Sequence, residues 1–231
     1  MATMAMSTEA ALYRLMTWLS PAYPIGGYSY SHGLEYAVEA GTVADAAMLK
    51  EWVAAVLLCG SGRSDAALFV AAYRGARAGD AERLDEIIAL ASAWRSTSET
   101  ALESEAQGTA FLATTLGAWP NSALTALATR HRKLPLALAA ALVCAFHRVP
   151  LELALPAYLH AFAANLVSAG VRLIPLGQSD GQKTIAQLEA CVARAVEAAN
   201  GAVLEAVGTA APMIDWCSMR HETQYTKLFR S

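Results

Sequence analysis

Charge is scarce and balanced in this chain, with 17 Lys and Arg against 20 Asp and Glu among 231 residues. Without a basic excess, nucleic-acid binding by a whole-surface positive field is excluded. Without a strong net charge, and with 55% hydrophobic residues, a disordered chain is excluded as well. Cysteine is limited to Cys59, Cys144, Cys191 and Cys217, with no C-x-x-C pair. A disulfide framework is therefore not expected, and the thiols fit a reducing cytoplasm. Long hydrophobic runs are missing too. The longest near-apolar stretch, Leu134 to Phe146, is 13 residues, short of the roughly 20 needed to cross a bilayer. The next, Leu151 to Gly170, carries Glu152, Pro156, His160 and Asn165, which a lipid-facing span tolerates poorly. Met1 to Glu9 has neither the basic nor the apolar region of a signal peptide. No membrane association is expected.

What the chain does have is alanine and leucine at helical spacing, with few β-branched residues, which favours helices over strands. Ser7 precedes the stripe Leu12, Leu15, Met16 and Leu19, and Ser20 to Gly27 then breaks the helix with two prolines and two glycines. Further helices are expected from about Ser31 to Ala40, Asp45 to Gly60, Ser64 to Gly79, and beyond Asp80. Others follow Thr97 and span Ala123 to Thr129, Leu134 to His147, Leu151 to Ala169 and Thr184 to Ala198. The expected fold is all-α, a single-domain bundle of about eight to ten helices over residues 1–208. Residues 209–231 read differently, as a flexible polar C-terminal tail with too little local core to fold alone. Its last dozen residues hold Arg220, Lys227 and Arg230 against Glu222, whereas Asp80 to Glu105 carries seven acids and two bases.

Motifs for chemistry are weak. Gly177 to Thr184 resembles a phosphate loop superficially, but three residues separate Gly177 from Gly181 and Gln182 intervenes before Lys183. A P-loop needs four residues between its glycines and the second glycine directly before lysine. Cys217 and His221 lie one helical turn apart, and no third ligand accompanies them, so no metal site is expected. Neither G-x-S-x-G nor a Cys/His nucleophile signature occurs, and Glu103 and Glu105 point different ways on a helix. No catalytic residues and no cofactor are expected. Two segments stand out instead. Pro24 to Glu35 sets two glycines, two tyrosines and two serines at a helix entrance, with Ser31 as a candidate cap. Gly170 to Gln178 places Arg172 among apolar neighbours, where it needs a carboxylate, carbonyls or a partner surface.

These residues carry a family resemblance. Leu15-Met16, Ser20-Pro21, Pro24 to Glu35, Val38 to Gly41, Ala169 to Gln178 and the ending His221 to Ser231 occur in order along the whole chain. With them the sequence resembles the urease accessory proteins of the F type. The resemblance implies an all-α homodimer without catalysis of its own. It implies a bridge between the D- (or H-) type accessory protein and the G-type GTPase. That assembly docks on apo-urease and delivers nickel along an internal path to a dinuclear site. Glu35, Arg172 and Lys227 match positions implicated in GTPase docking, and Lys227 stands where the family usually has arginine, so the bidentate fork of guanidinium is lost. The partner-binding set is therefore Tyr28, Ser31, Glu35, Arg172, Gln178, Arg220, His221, Glu222, Tyr225, Lys227, Leu228 and Phe229. In it Tyr225, Leu228 and Phe229 are expected as anchors, and Arg220 and Lys227 as orienting charges. Two other readings compete. A small-ligand-binding helical regulator would need a concave site with convergent polar groups, and a self-contained nickel carrier would need at least three clustered ligands.

Overall fold

A computed structural model describes residues 6–231, and among these no strand occurs. The first helix, α1 (Thr8–Trp18), starts where the Ser7 hydroxyl accepts the Ala10 N–H. Helix α2 (Leu34–Glu39) starts three residues later than the Ser31 start expected from sequence. His32 and Gly33 lie at φ +57° and +78°, which is left-handed backbone that an α-helix cannot contain. Asp45, Asp80, Thr97 and Asn121 then cap α3 (Ala46–Leu58), α5 (Ala81–Ala93), α6 (Ser98–Ala118) and α7 (Ser122–Arg130), each accepting a backbone N–H three residues on. Between the first two of these, α4 (Ser61–Ala78) ends at Gly79 in the left-handed conformation. Prolines 135 and 150 lead into α8 (Leu136–Phe146) and α9 (Leu151–Leu173).

Two boundaries differ from expectation for identifiable reasons, and a short helix lies within the expected tail. Helix α9 runs through Gly170, because that glycine serves packing: a Cβ there would sit 2.5 Å from the Leu49 side chain of α3. The Gly177 to Thr184 stretch is the opening turns of α10 (Gln178–Gln187), and α11 (Glu189–Asn200) follows directly across buried Leu188. The segment read as a flexible tail contains α12 (Pro212–His221), begun by a proline whose missing N–H costs nothing there. Two stretches pass a length-and-apolarity test for spanning a membrane, Ala46–Ala78 and Leu151–Leu173. The first is broken between α3 and α4, and 67% and 50% of their apolar windows are buried within the fold, as core helices are.

Helix α8 is the axis of the core. Every residue from Ala137 to Ala145 is at most 3% exposed, so it is apolar all round because it is covered all round. Its alanines let α4 and α6 approach from two sides. The tightest point is Gly108 of α6, where a Cβ would fall 2.0 Å from the Leu134 carbonyl oxygen. Backbone cannot yield there as a flexible side chain can. At the α1 end, Trp18 meets the Trp119 ring edge-on at 5.7 Å and His147 at 5.5 Å. Arg14 donates to His147 Nδ1 at 2.9 Å, which requires a lone pair on that nitrogen and hence a neutral ring.

Two outcomes follow from this packing. Gly108→Ala is expected to cost about 3 kcal/mol or more, read as a lower urea midpoint; an unchanged midpoint would contradict the α6–α8 contact. Burial first, then the nearby Arg14 charge, holds the His147 pKa below its ordinary value. The folded state thus binds fewer protons, and this contribution is present above the ordinary imidazole pKa of about 6.5 and is lost as pH falls. His147→Gln should flatten the acid side of the urea-midpoint profile, and an unaltered profile would contradict the assignment.

Candidate functional site

The site is built where the left-handed His32-Gly33 corner meets the end of the chain. Turning the backbone at these two residues buries Ser31, His32, Leu34 and Glu35 together. Gly33 is required twice over, because its φ is +78° and a Cβ would lie 2.8 Å from the Ser218 amide of α12. The Ser31 hydroxyl accepts the Glu35 N–H at 3.2 Å and donates to the Ser231 carbonyl at 2.6 Å, and the Ser31 amide donates to the same carbonyl at 2.6 Å. Ser31 is therefore not the N-cap of α2, a place taken by Gly33, but its hydroxyl meets an N–H of the first turn and tethers the chain end.

Glu35 is the centre of the site. Only 6% exposed, its carboxylate accepts the backbone N–H groups of Leu228 and Phe229 at 2.6 and 3.0 Å and His221 Nε2 at 3.0 Å. The opposite ring nitrogen of His221, which is fully buried, lies 2.8 Å from Glu99 of α6. Lys227 reaches Glu99 at 3.4 Å. One turn further along α6, Glu103 accepts the Ser231 hydroxyl at 2.8 Å and pairs with His32 Nδ1 at 3.2 Å, and His32 Nε2 lies 2.7 Å from the Ser61 hydroxyl. The acid-rich stretch of α6 and the base-rich chain end thus meet within one molecule. A further row, Thr97 to Ser218 at 2.7 Å and Ser96 to Asp215 at 2.6 Å, joins the start of α6 to α12.

Arg172 closes the site from α9. Its guanidinium donates to the Tyr28 and Ser168 carbonyls at 2.6 and 3.2 Å and stacks over the Phe229 ring at 4.5 Å. The arrangement is a cation–π contact with two carbonyl acceptors, and partial burial lowers the Arg172 pKa. Carbonyls were among the partners an arginine at this place demanded.

The structure divides the twelve expected residues. Ser31, Glu35, His221 and Phe229 are buried against their own chain; Phe229, expected as an anchor for a partner, is 4% exposed. Lys227 has its ammonium on Glu99 and the Glu222 carbonyl. Tyr28, Arg172, Arg220, Glu222, Tyr225 and Leu228 form the outer surface, with Tyr28 71% and Leu228 76% exposed. Gln178 is exposed at the start of α10, apart from the cluster. Beside them α12 exposes Met213, Trp216 and Met219, with Arg220 lying over both the Tyr36 and Trp216 rings. Sequence reasoning missed that apolar face, although its three-residue spacing was readable. It also missed Glu99 and Glu103 as partners of the chain end, and His32 as a partner of Glu103, since nothing local marks pairings some 70 to 130 residues apart. Among the described residues no group of three His, Cys, Asp or Glu side chains is arranged to hold a metal ion.

A cavity of about 230 Å³ adjoins the site between α1, α6 and α9. Its walls mix Trp18, Phe111 and Phe162 with His32, Arg95 and Glu103. Nearby, Arg95 pairs with Asp65 at 2.9 Å, both side chains under 10% exposed. This pair is held by burial, and removing one partner would leave the other charge uncompensated.

Gly33→Ala is expected to destabilise the fold by about 1–3 kcal/mol through strain and displacement of α12. Urea unfolding together with Trp216 fluorescence checks this, and a wild-type midpoint and spectrum would contradict the close approach.

The UreF family model matches residues 43–189, more than half of the chain. The urease accessory protein UreF of Granulibacter bethesdensis is 52% identical over 224 residues, covering 96% of this chain and 95% of that protein. The UreF of Bradyrhizobium diazoefficiens is 48% identical over 229 residues, covering 99% and 95%. That of Rhodopseudomonas palustris strain HaA2 is 48% identical over 223 residues, covering 96% and 94%. An all-helical fold, motifs running from one end to the other, and near-full-length identity agree, and this chain belongs to the UreF family of urease accessory proteins.

Proposed function

We propose that this protein serves urease maturation as a cytoplasmic adaptor, without catalysis. In this reading it bridges the D- (or H-) type accessory protein and the G-type GTPase, as a homodimer, while the assembly sits on apo-urease. GTP-dependent release of nickel, the cargo, is gated by that docking. The observation that carries the reading is the composite face made by Tyr28, Arg172 and the 222–231 segment, in which Glu35 fixes the Leu228 and Phe229 backbone. Such a face has the composition of a binding surface: aromatic and arginine groups on a rigid support, with apolar α12 beside it. Lys227 also fits it. Its ammonium supplies charge at a carboxylate and a carbonyl, a task that does not need the forked geometry of arginine.

Glu35 acts within this reading by positioning the segment, and Arg172 acts both by positioning and by direct contact. Glu35→Ala and Arg172→Ala are each expected to lower capture of the GTPase from a co-expressing cell at least tenfold, with helicity unchanged. Wild-type capture by both variants would overturn the docking role. Removing Met219 to Ser231 is expected to cost complex formation more than folding, because the carboxylates it leaves behind become accessible to water. A truncated chain that assembles fully, or that loses its helical spectrum, would contradict this.

A further inference from the structure

His221 differs from the other histidines in what its ring faces. Both ring nitrogens meet carboxylates, Nε2 on Glu35 and Nδ1 on Glu99, at 3.0 and 2.8 Å, and the side chain has no exposed surface. Every other partner of these two carboxylates is a donor: the Leu228 and Phe229 amides on Glu35, and Lys227 on Glu99. An ionised carboxylate only accepts, so a ring bonded to two of them must carry both protons. His32 lacks this constraint, because its second nitrogen meets the Ser61 hydroxyl, which can donate or accept.

The titratable groups around the ring are Glu35 from α2, Glu99 from α6 and Lys227 from the chain end. Cys217, a turn earlier on α12, has its thiol pKa raised by burial and stays neutral. With imidazolium and ammonium present, the two carboxylates are balanced. Without the ring proton, one negative charge is left over, and a ring lone pair faces a carboxylate oxygen. A buried uncompensated carboxylate is relieved by water. Neither α2 nor α6 can open to admit it, since Leu34, Thr100 and Gln107 are anchored in the interior. The 222–228 stretch, exposed along nearly its whole length, can.

We propose that His221 is a protonation-dependent latch: as imidazolium it fastens residues 222–231 to α2 and α6, and on losing its proton it frees Leu228 and Phe229 from Glu35. The device needs no partner protein, so it stands or falls separately from the adaptor reading.

The test uses the full chain, labelled with ¹⁵N. The ring nitrogens of His221 are followed through a pH titration alongside hydrogen-exchange protection of the Leu228 and Phe229 amides, with Leu142 and Val143 of α8 as internal controls. Both nitrogens should be protonated wherever the two tail amides are protected. Protection of those amides should fall at least tenfold as the ring titrates, while the α8 amides hold. His221→Gln should give weak tail protection at every pH. Glu99→Gln, whose amide can satisfy a neutral ring, should flatten the pH dependence and serves where His221→Gln disturbs α8. A singly protonated ring with protected amides would overturn the latch. So would tail protection unchanged through the titration, or unchanged in His221→Gln with α8 intact.

Discussion

A carboxylate taken out of water must be met by donors, and the surface of this protein is organised around one that is. Glu35 sits at the first turn of a short helix, nearly buried, and the donors it collects come from residues almost two hundred positions further along. Backbone amides are the decisive ones. They fix where Leu228 and Phe229 lie in a way that does not depend on the side chains there, so Phe229 arrives beneath Arg172 and Leu228 is turned outward. Breaking one half of such an arrangement is far more costly than never having formed it. That asymmetry is why the chain end behaves as part of the body.

Around this point the fold supplies rigidity in layers. The alanine-rich α8 brings α4 and α6 close, and Gly108 sets how close. With α6 fixed, Glu99 and Glu103 present two buried acceptors one turn apart, and the segment 221–231 reads them with His221, Lys227 and Ser231. With α9 fixed, Arg172 reaches back to the loop before α2 through the Tyr28 carbonyl. Four parts of the chain distant in sequence thereby produce one continuous face. A continuous face of this kind is what the proposed adaptor role requires.

Much of the scaffold was legible in the sequence. Ser7, Asp45 and Asp80 cap helices as side chains of their type should, and Gly79 ends one. Gly170 is ambiguous in the sequence because glycine can mean either a stop or a close approach, and only the neighbouring Leu49 tells which. The Ser31 to Gly33 corner hid a later helix start, since histidine at positive φ is uncommon enough not to be expected. At the site, single residues such as Glu35 and Arg172 were visible as charges in want of partners. Their partners were not visible, because backbone amides carry no sequence signature. The acidic stretch and the basic end are both visible in the sequence, but pairing them requires knowing that α6 and α12 lie side by side.

The most direct measurement is a double-mutant cycle on Glu35 and His221, each replaced by glutamine and then both together, with unfolding free energies taken in urea at fixed pH. Coupled through one buried bridge, the two substitutions should depart from additivity by more than about 1 kcal/mol. Additivity to within about 0.5 kcal/mol would mean that Glu35 and His221 are not joined through one buried bridge, and the account of the chain end built on that bridge would fail.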